Sequence, residues 1–308
     1  MSYPRRPLLA SAASLLLPGL GQIYNGEVAR GVVLQLALAL LLPSAAWLAV
    51  NGPRSMLVVF VVAGVLATLA VYVHSVVAAY RSAARLGDGF VPGPWNRSIV
   101  YLAVFLFGHV FVVGLAAHVT KSSLIETFKV PTASMLPAIL PGDRFFADKR
   151  AGRPGGRNIR RGDIVVFVYP NDRTTLFVKR IIGLPGDSVS ITGNRVTVNG
   201  VELAHQEVHE LGDASLNRLL DDHLAFREVG DGVAYTVLWR KDGERAPLAM
   251  TVPNGQAFVL GDNRDASVDS RRFGVLPLAD ITGVARQVWL SVDEHGGIRV
   301  RRTGVLLD

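Results

Sequence analysis

Phe128-Lys129-Val130-Pro131-Thr132-Ala133-Ser134-Met135 (FKVPTASM) is the stretch around which the rest of the chain can be read. It follows the last long apolar run and opens a segment of different composition. Residues 128–130 suit an extended strand. Pro131 donates no backbone hydrogen bond and biases its predecessor toward extended geometry. Thr132 and Ser134 flank one small residue, and Pro137 and Pro141 prevent a long helix. The result is a hydroxyl on a constrained turn at the end of a strand. Taken alone, such a serine caps a short helical turn. Partners elsewhere in the chain decide whether it does more.

The 308 residues allow about two domains. Half are hydrophobic and the mean hydropathy is +0.33, so membrane segments are expected. Residues 1–97 hold seven arginines against Glu27 and Asp88, a net +5, whereas residues 128–308 are nearly balanced at +2. The basicity therefore resides in the apolar half, where arginines act as topology signals. No basic stripe interleaves with aromatics, which argues against a nucleic-acid partner. The chain has no cysteine, which removes disulfides, thiol catalysis and cysteine metal sites.

Three runs, 31–50, 56–80 and 98–120, lack Lys, Arg, Asp and Glu. Each is long enough for a hydrocarbon core of about 30 Å, which needs about 20 apolar residues. A further apolar segment, 7–30, is broken by Pro18, Gly19, Gly21 and Gly26. It has the basic start of a signal peptide, but arginines at both ends favour a short or re-entrant helix. Its PGLGQIYNGEVARG stretch resembles the turn region of small bacterial two-helix membrane modules. Counting from a cytoplasmic Arg30, the spans place Arg81, Arg85 and Arg97 back inside and everything after Lys121 outside. Arg54, in an outer loop, is the one misfit. The expectation is a multi-pass α-helical membrane region over 1–127. His74, His109 and His118 have no acidic companion in their own spans, so packing or interfacial roles are expected.

From 128 to 308 the pattern becomes short Val-, Ile- and Phe-rich runs separated by Gly, Asp, Asn and Pro. Strands are expected at 163–169, 176–182, 188–192, 195–198, 234–239 and 257–260, with one short helix at 214–223. The expectation is a mainly-β domain over 128–308 with its own core.

Within it, LFVKRIIGLPGD places Lys179 on the strand face of Phe177 and Ile181, and Arg180 on the other. An ordinary lysine is neutral about once in 2,500 molecules at pH 7. Desolvation lowers the pKa by up to about 3–5 units and turns the amine into a general base, which an arginine cannot become. The plainer alternative is a surface lysine on an edge strand. GDNRDASVDSRRFG (261–274) has more small polar and charged residues than a core needs. Its acidic and amide oxygens suggest calcium, but the EF-hand pattern fails: from Asn263, the turn glycine falls on Val268 and the final Glu on Gly274. A hydrogen-bonded platform is the other reading, with Asp269 and Arg271 pairing to hold Ser267 beside a catalytic group.

Together, PTASMLPAILPGD, LFVKRIIGLPGD and GDNRDASVDSRRFG resemble the boxes of bacterial type I signal peptidases, membrane-bound serine/lysine peptidases. GDIVVF and VLPLADITGVARQVWLS fit as well, so the resemblance covers about 128–291, with a divergent insert at 204–252. It implies a catalytic domain of the signal-peptidase/LexA-like type. It also implies Ser134 as nucleophile, Lys179 as general base, Ser267 as the serine orienting the lysine, and Asp269 with Arg271 as its support. The Ser134 amide and Thr132 hydroxyl, where the family usually has serine, become the oxyanion donors. Phe128, Val130, Met135 and Val178 become the lining of the small substrate pockets. No metal and no cofactor is implied, and His205, His209, His223 and His295 lie outside the boxes. The implied substrates are signal-peptide-bearing preproteins cut after Ala-x-Ala, at the outer face of a bacterial cytoplasmic membrane near the translocation machinery. A nucleophile so soon after the last span is expected close to the bilayer surface. Two rivals stand beside this: a LexA-like self-cleaving protein, which would be soluble with a DNA-binding N-terminus, and a non-catalytic receptor or assembly factor on an inactivated peptidase domain.

Overall fold

The computed structural model describes residues 4–151, 158–203, 206–212 and 216–307. The chain divides into two compact units, Met1–Ile125 and Glu126–Asp308.

In the first unit, helices Val28–Asn51, Arg54–Leu86 and Ser98–Leu124 have mean hydropathies of 2.1, 2.7 and 2.4 and are long and apolar enough to cross a membrane. They outrun the apolar stretches of the sequence. The second continues through Arg81 and Arg85 until Gly87, whose φ of 54° ends it. Two short helices, Pro7–Leu16 and Leu20–Tyr24, precede them. Several of their polar groups are paired inside the unit, although Asn25 Oδ1 is buried without a partner among the described residues. Ser14 Oγ donates to Gln22 Oε1 (3.1 Å), Gln22 Nε2 to Ser75 O (2.8 Å), and Asn25 Nδ2 to Ala79 O (2.8 Å). Gly19 turns the chain at φ 95°, and a Cβ there would lie 2.2 Å from the Gly31 carbonyl oxygen. Only glycine fits that crossing.

The second unit is built from strands β1 (Ile125–Lys129), β2 (Asp143–Asp148), β3 (Ile164–Val168), β4 (Leu176–Gly183), β5 (Ser188–Thr192), β6 (Arg195–Val198), β7 (Val201–Glu202), β8 (Gln206–Val208), β9 (His223–Gly230), β10 (Val233–Arg240), β11 (Leu248–Thr251), β12 (Gln256–Leu260), β13 (Leu276–Pro277) and β14 (Ile281–Ser291). Seven form one sheet in the order β1-β2-β14-β3-β4-β12-β13, and two smaller sheets run β10-β9-β8 and β11-β5-β6-β7. Local sequence explains the tight hairpins. Asn199-Gly200 and Asp231-Gly232 all have positive φ, the geometry of type I′ turns that matches strand twist. Ile182, Val189, Trp239 and Phe258 share a core that joins the smaller sheets to the large one.

The helix expected at 214–223 is not formed. Ala214 and Ser215 lie outside the described residues, Asn217–Asp221 makes a single 3₁₀ turn, and His223 already opens β9. Leu216, Leu219 and Leu220 still find cover against Leu136 and Leu238, so one turn suffices to bury them.

Candidate active site

Lys179 sits on β4, which is flanked by β3 and β12, so it is interior to the sheet rather than on an edge. Its register partner is Val165. The side chain is 4% exposed, and its amine donates to Ser134 Oγ at 2.9 Å and to the Val178 carbonyl at 2.8 Å. The face expected from strand alternation is observed, since Nζ lies 5.3 Å from the Phe177 ring centroid. Burial lowers the lysine pKa to about 8 against the opposing pull of Asp269 and Asp262. The 2.9 Å separation serves both protonation states. A charged amine donates to Oγ, and a neutral one accepts from the Oγ–H.

Ser134 lies in an irregular loop fastened at several points. Met135 and Ile139, both 0% exposed, anchor it in the core. Asn263 donates its backbone N–H to Ser134 O (3.1 Å) and its side-chain amide to Ala133 O (3.2 Å). Arg302 donates to Ala138 O (2.8 Å) and to Asp143 Oδ2 (2.5 Å), while Asp143 Oδ2 also accepts the Leu140 N–H (2.9 Å). Thr132 Oγ1 is 3.3 Å from Ser134 Oγ.

The segment 261–271 closes the far side. Arg271 clasps Asp269 through Nε to Oδ1 (2.9 Å) and Nη2 to Oδ2 (2.8 Å), and also donates to the Arg264 carbonyl. Asp269 in turn accepts the Gly261 N–H (3.1 Å). A Cβ on Gly261 would lie 2.3 Å from Ser267 Oγ and 2.6 Å from Ser134 O, so glycine allows the serine loop and the platform to close on each other. Ser267 is 4% exposed, and its Oγ has no hydrogen-bond partner among the described residues.

In front of Ser134 and Lys179 opens a cavity of about 330 Å³ lined by Phe128, Val130, Thr132 and Val178. Three of the four expected pocket residues thus face it. Met135 does not, being fully buried beneath the loop. His205 lies outside the described residues. His223 contacts the Leu219 carbonyl through Nδ1 (3.1 Å), and His295 is on an exposed turn.

Several groups holding this site escaped sequence reasoning. Arg180, fully buried, forms a two-pronged pair with Asp262 (2.8 and 2.7 Å) under the Tyr235 ring. Arg264 does the same with Glu228 (2.8 and 2.5 Å), both at 0% side-chain exposure. Tyr235 and Glu228 come from the divergent insert, which also donates the Leu238 N–H to Asp262 O (2.8 Å). Their only signal was a high density of charge in strands that otherwise alternate like core.

A hydroxyl touching a buried amine at the foot of an apolar cleft is the arrangement that hydrolases with an activated side-chain nucleophile require. The family model described as "Signal peptidase, peptidase S26" matches residues 103–290, more than half of the chain, and the chain belongs to that family. Among relatives, signal peptidase I of Pseudomonas fluorescens is 28% identical over 293 residues, 80% of this chain and 94% of its own. That of Rickettsia typhi is 32% identical over 210 residues, 59% of this chain and 77% of its own. A crystal structure of a signal peptidase I from Enterococcus faecalis V583 is 33% identical and covers 42% of this chain and 97% of its own, with a TM-score of 0.27. The chain is therefore a serine endopeptidase of this family.

Proposed function

We propose that the chain cleaves N-terminal signal peptides from preproteins with Ser134 as nucleophile and Lys179 as general base. The observation that carries this reading is the 2.9 Å contact between Ser134 Oγ and an amine that is 4% exposed. Neutral Lys179 takes the Ser134 proton as Oγ bonds to the scissile carbonyl carbon. The developing oxyanion is held by the Ser134 N–H and the Thr132 hydroxyl, each worth about 3–4 kcal/mol in comparable sites. The lysine then passes its proton to the leaving amine, the C–N bond breaks, and an acyl-enzyme remains. Water adds to the ester, again giving a proton to Lys179, which returns it to Ser134 as the acid departs. Asp269 and Arg271 brace the loop that carries Ser267, whose Oγ has no hydrogen-bond partner among the described residues and is available to the amine.

The substrate adds as a strand beside β1, the edge strand of the large sheet. Its small alternate side chains enter the cavity at Phe128, Val130 and Val178, which favours Ala-x-Ala sequences. The three apolar helices anchor the protein in a bacterial cytoplasmic membrane as a multi-pass region. The arginine bias of 1–97 supports a peptidase unit outside, where preproteins emerge from the translocation machinery.

Processing of a preprotein in liposomes by wild type, Ser134→Ala and Lys179→Ala tests the assignment. Both variants are expected to lose processing, and equal processing by all three would sink the mechanism.

A further inference from the structure

The loop that carries Ser134 is held from two directions. Asn263 ties its start, at Ala133 O and Ser134 O. Its end is tied by residues 298–307, which lie outside every sequence box that carries the chemistry. This segment runs back along β14. The Val288 N–H donates to Val305 O (2.9 Å), the Gly304 N–H to Val288 O (2.8 Å) and the Leu307 N–H to Arg286 O (2.9 Å). Leu307, 4% exposed, then joins Met135 and Ile139 in the core. Arg299 Nη1 donates to Pro141 O (3.0 Å) and Ser291 Oγ (3.1 Å), and Arg302 Nη2 to Ala138 O (2.8 Å) and Asp143 Oδ2 (2.5 Å).

The form of the Arg302 contact sets it apart from the other arginine pairs. Arg173, Arg180 and Arg264 each meet a carboxylate with two nitrogens on two oxygens, the strongest arrangement available. Arg302 brings a single nitrogen to both Ala138 O and Asp143 Oδ2. Its Nε and Asp143 Oδ1 are buried without a partner among the described residues. An arginine placed for ion-pair strength would set those two atoms against each other. Here they are left over, and the Ala138 carbonyl is fixed instead. The loop between β1 and β2 has no helix or strand of its own, so its carbonyls depend on such donors from outside.

We propose that Arg302 is a positioning residue for the reaction: through Ala138 and the loop it sets the angle at which the Ser134 N–H and Oγ face the scissile carbonyl. The link is short. The Leu136 N–H donates to Ala133 O (3.2 Å) and the Ile139 N–H to Met135 O (2.9 Å), so residues 133–139 turn as one unit. Releasing Ala138 lets that unit rotate, while Lys179 on β4 and the cleft wall at Phe128 and Val178 keep their places. A displacement of about 1 Å at reacting atoms costs about 100-fold in rate. The proposal rests on Ser134 as nucleophile.

The test measures kcat and KM for a preprotein with the full-length chain in detergent. Arg302→Gln should lower kcat about 10–100-fold and leave KM within about twofold, because the cleft lining is untouched. The pH midpoint of the rate should stay near 8, since the surroundings of Lys179 do not change. Arg302→Lys puts several N–H donors on one nitrogen, as Nη2 is used here, and should recover kcat to within about fivefold of wild type. Val196→Ala, buried in the sheet β11-β5-β6-β7, lowers stability away from the loop and should keep the wild-type kcat. Urea unfolding establishes which variants are folded under assay conditions. If Arg302→Gln is not, Asp143→Asn, which keeps the shape of the brace and removes its charge, decides on the same terms with an expected kcat loss of about 3–10-fold. A wild-type kcat, a loss that appears as a raised KM or a moved pH midpoint, or a loss matched by Val196→Ala overturns the proposal. Ser134→Ala, run in parallel, keeps two failures apart. If it is inactive and Arg302→Gln is unimpaired, only the positioning role falls; if it processes like wild type, the nucleophile assignment falls and the positioning role with it.

Discussion

Replacing Lys179 with methionine should abolish peptidase activity and stabilise the fold. The amine is 4% exposed, and burial lowers its pKa from 10.5 to about 8. A drop of that size corresponds to about 3 kcal/mol of preference for the neutral form. The sign follows from linkage. Below pH 8 the lysine is charged in both folded and unfolded chains, and the folded state bears the full desolvation cost. Between about pH 8 and 10.5 the unfolded chain holds the proton and the folded chain does not, so stability rises with pH. Above 10.5 both are neutral and the cost is gone. Lys179→Met, of similar length and uncharged, should therefore gain about 2–3 kcal/mol at pH 7, after loss of the contact to Ser134, with the gain disappearing by about pH 10.5. Urea unfolding of the full-length chain in detergent, followed by tryptophan fluorescence at pH 7, 8.5 and 10.5, measures this. At the same time, wild-type kcat/KM should rise with pH to a midpoint near 8, where the amine loses its proton. A variant less stable than wild type by the same amount at all three pH values would refute the buried-amine reasoning.

Three further outcomes follow from the geometry. Thr132→Val should lower kcat about 10²–10³-fold with little change in KM, and Thr132→Ser should restore it, as steady-state kinetics will show. Glu228→Gln leaves the fully buried Arg264 charge without its counter-ion and should cost about 3–5 kcal/mol in denaturant unfolding, although residue 228 lies far from the serine in sequence. Because the chain has no cysteine, single cysteines at Glu294 and Arg97 provide clean reporters of sidedness. An impermeant maleimide added outside intact cells should label the first and spare the second, and the reverse pattern would invert the proposed topology.

Much of the candidate site was legible because its chemistry is written in short local words. FKVPTASM announces a stiff turn, and LFVKRII puts Lys179 on the strand face of Phe177, as found, but its burial follows from the interior place of the strand in the sheet, which the spacing does not encode. The platform at 261–271 was readable from its excess of polar residues, and the Asp269–Arg271 clasp joins neighbours in the chain. What the sequence hid depends on pairing over distance. Glu228 reads as a surface residue until Arg264 is known to meet it, 36 positions away. Strand β2, DRFFAD, looks too charged at its ends, yet Asp143 is consumed by Arg302 and by the Leu140 N–H. Likewise the leucines of 216–220 suggest a helix by spacing, but neighbouring strands cover them after one turn.

The brace from Arg302 to the serine loop has a bearing on biosynthesis. Ser134 leaves the ribosome about 170 residues before the arginine that ties down its loop, and before Leu307, which completes the core beneath Met135. At about 5–20 residues per second that interval lasts some 10–30 s. Throughout it the nascent chain carries Ser134 on a loop whose brace is not yet made. On the proposed mechanism, a chain halted anywhere short of residue 302 lacks the tie that holds the Ser134 loop.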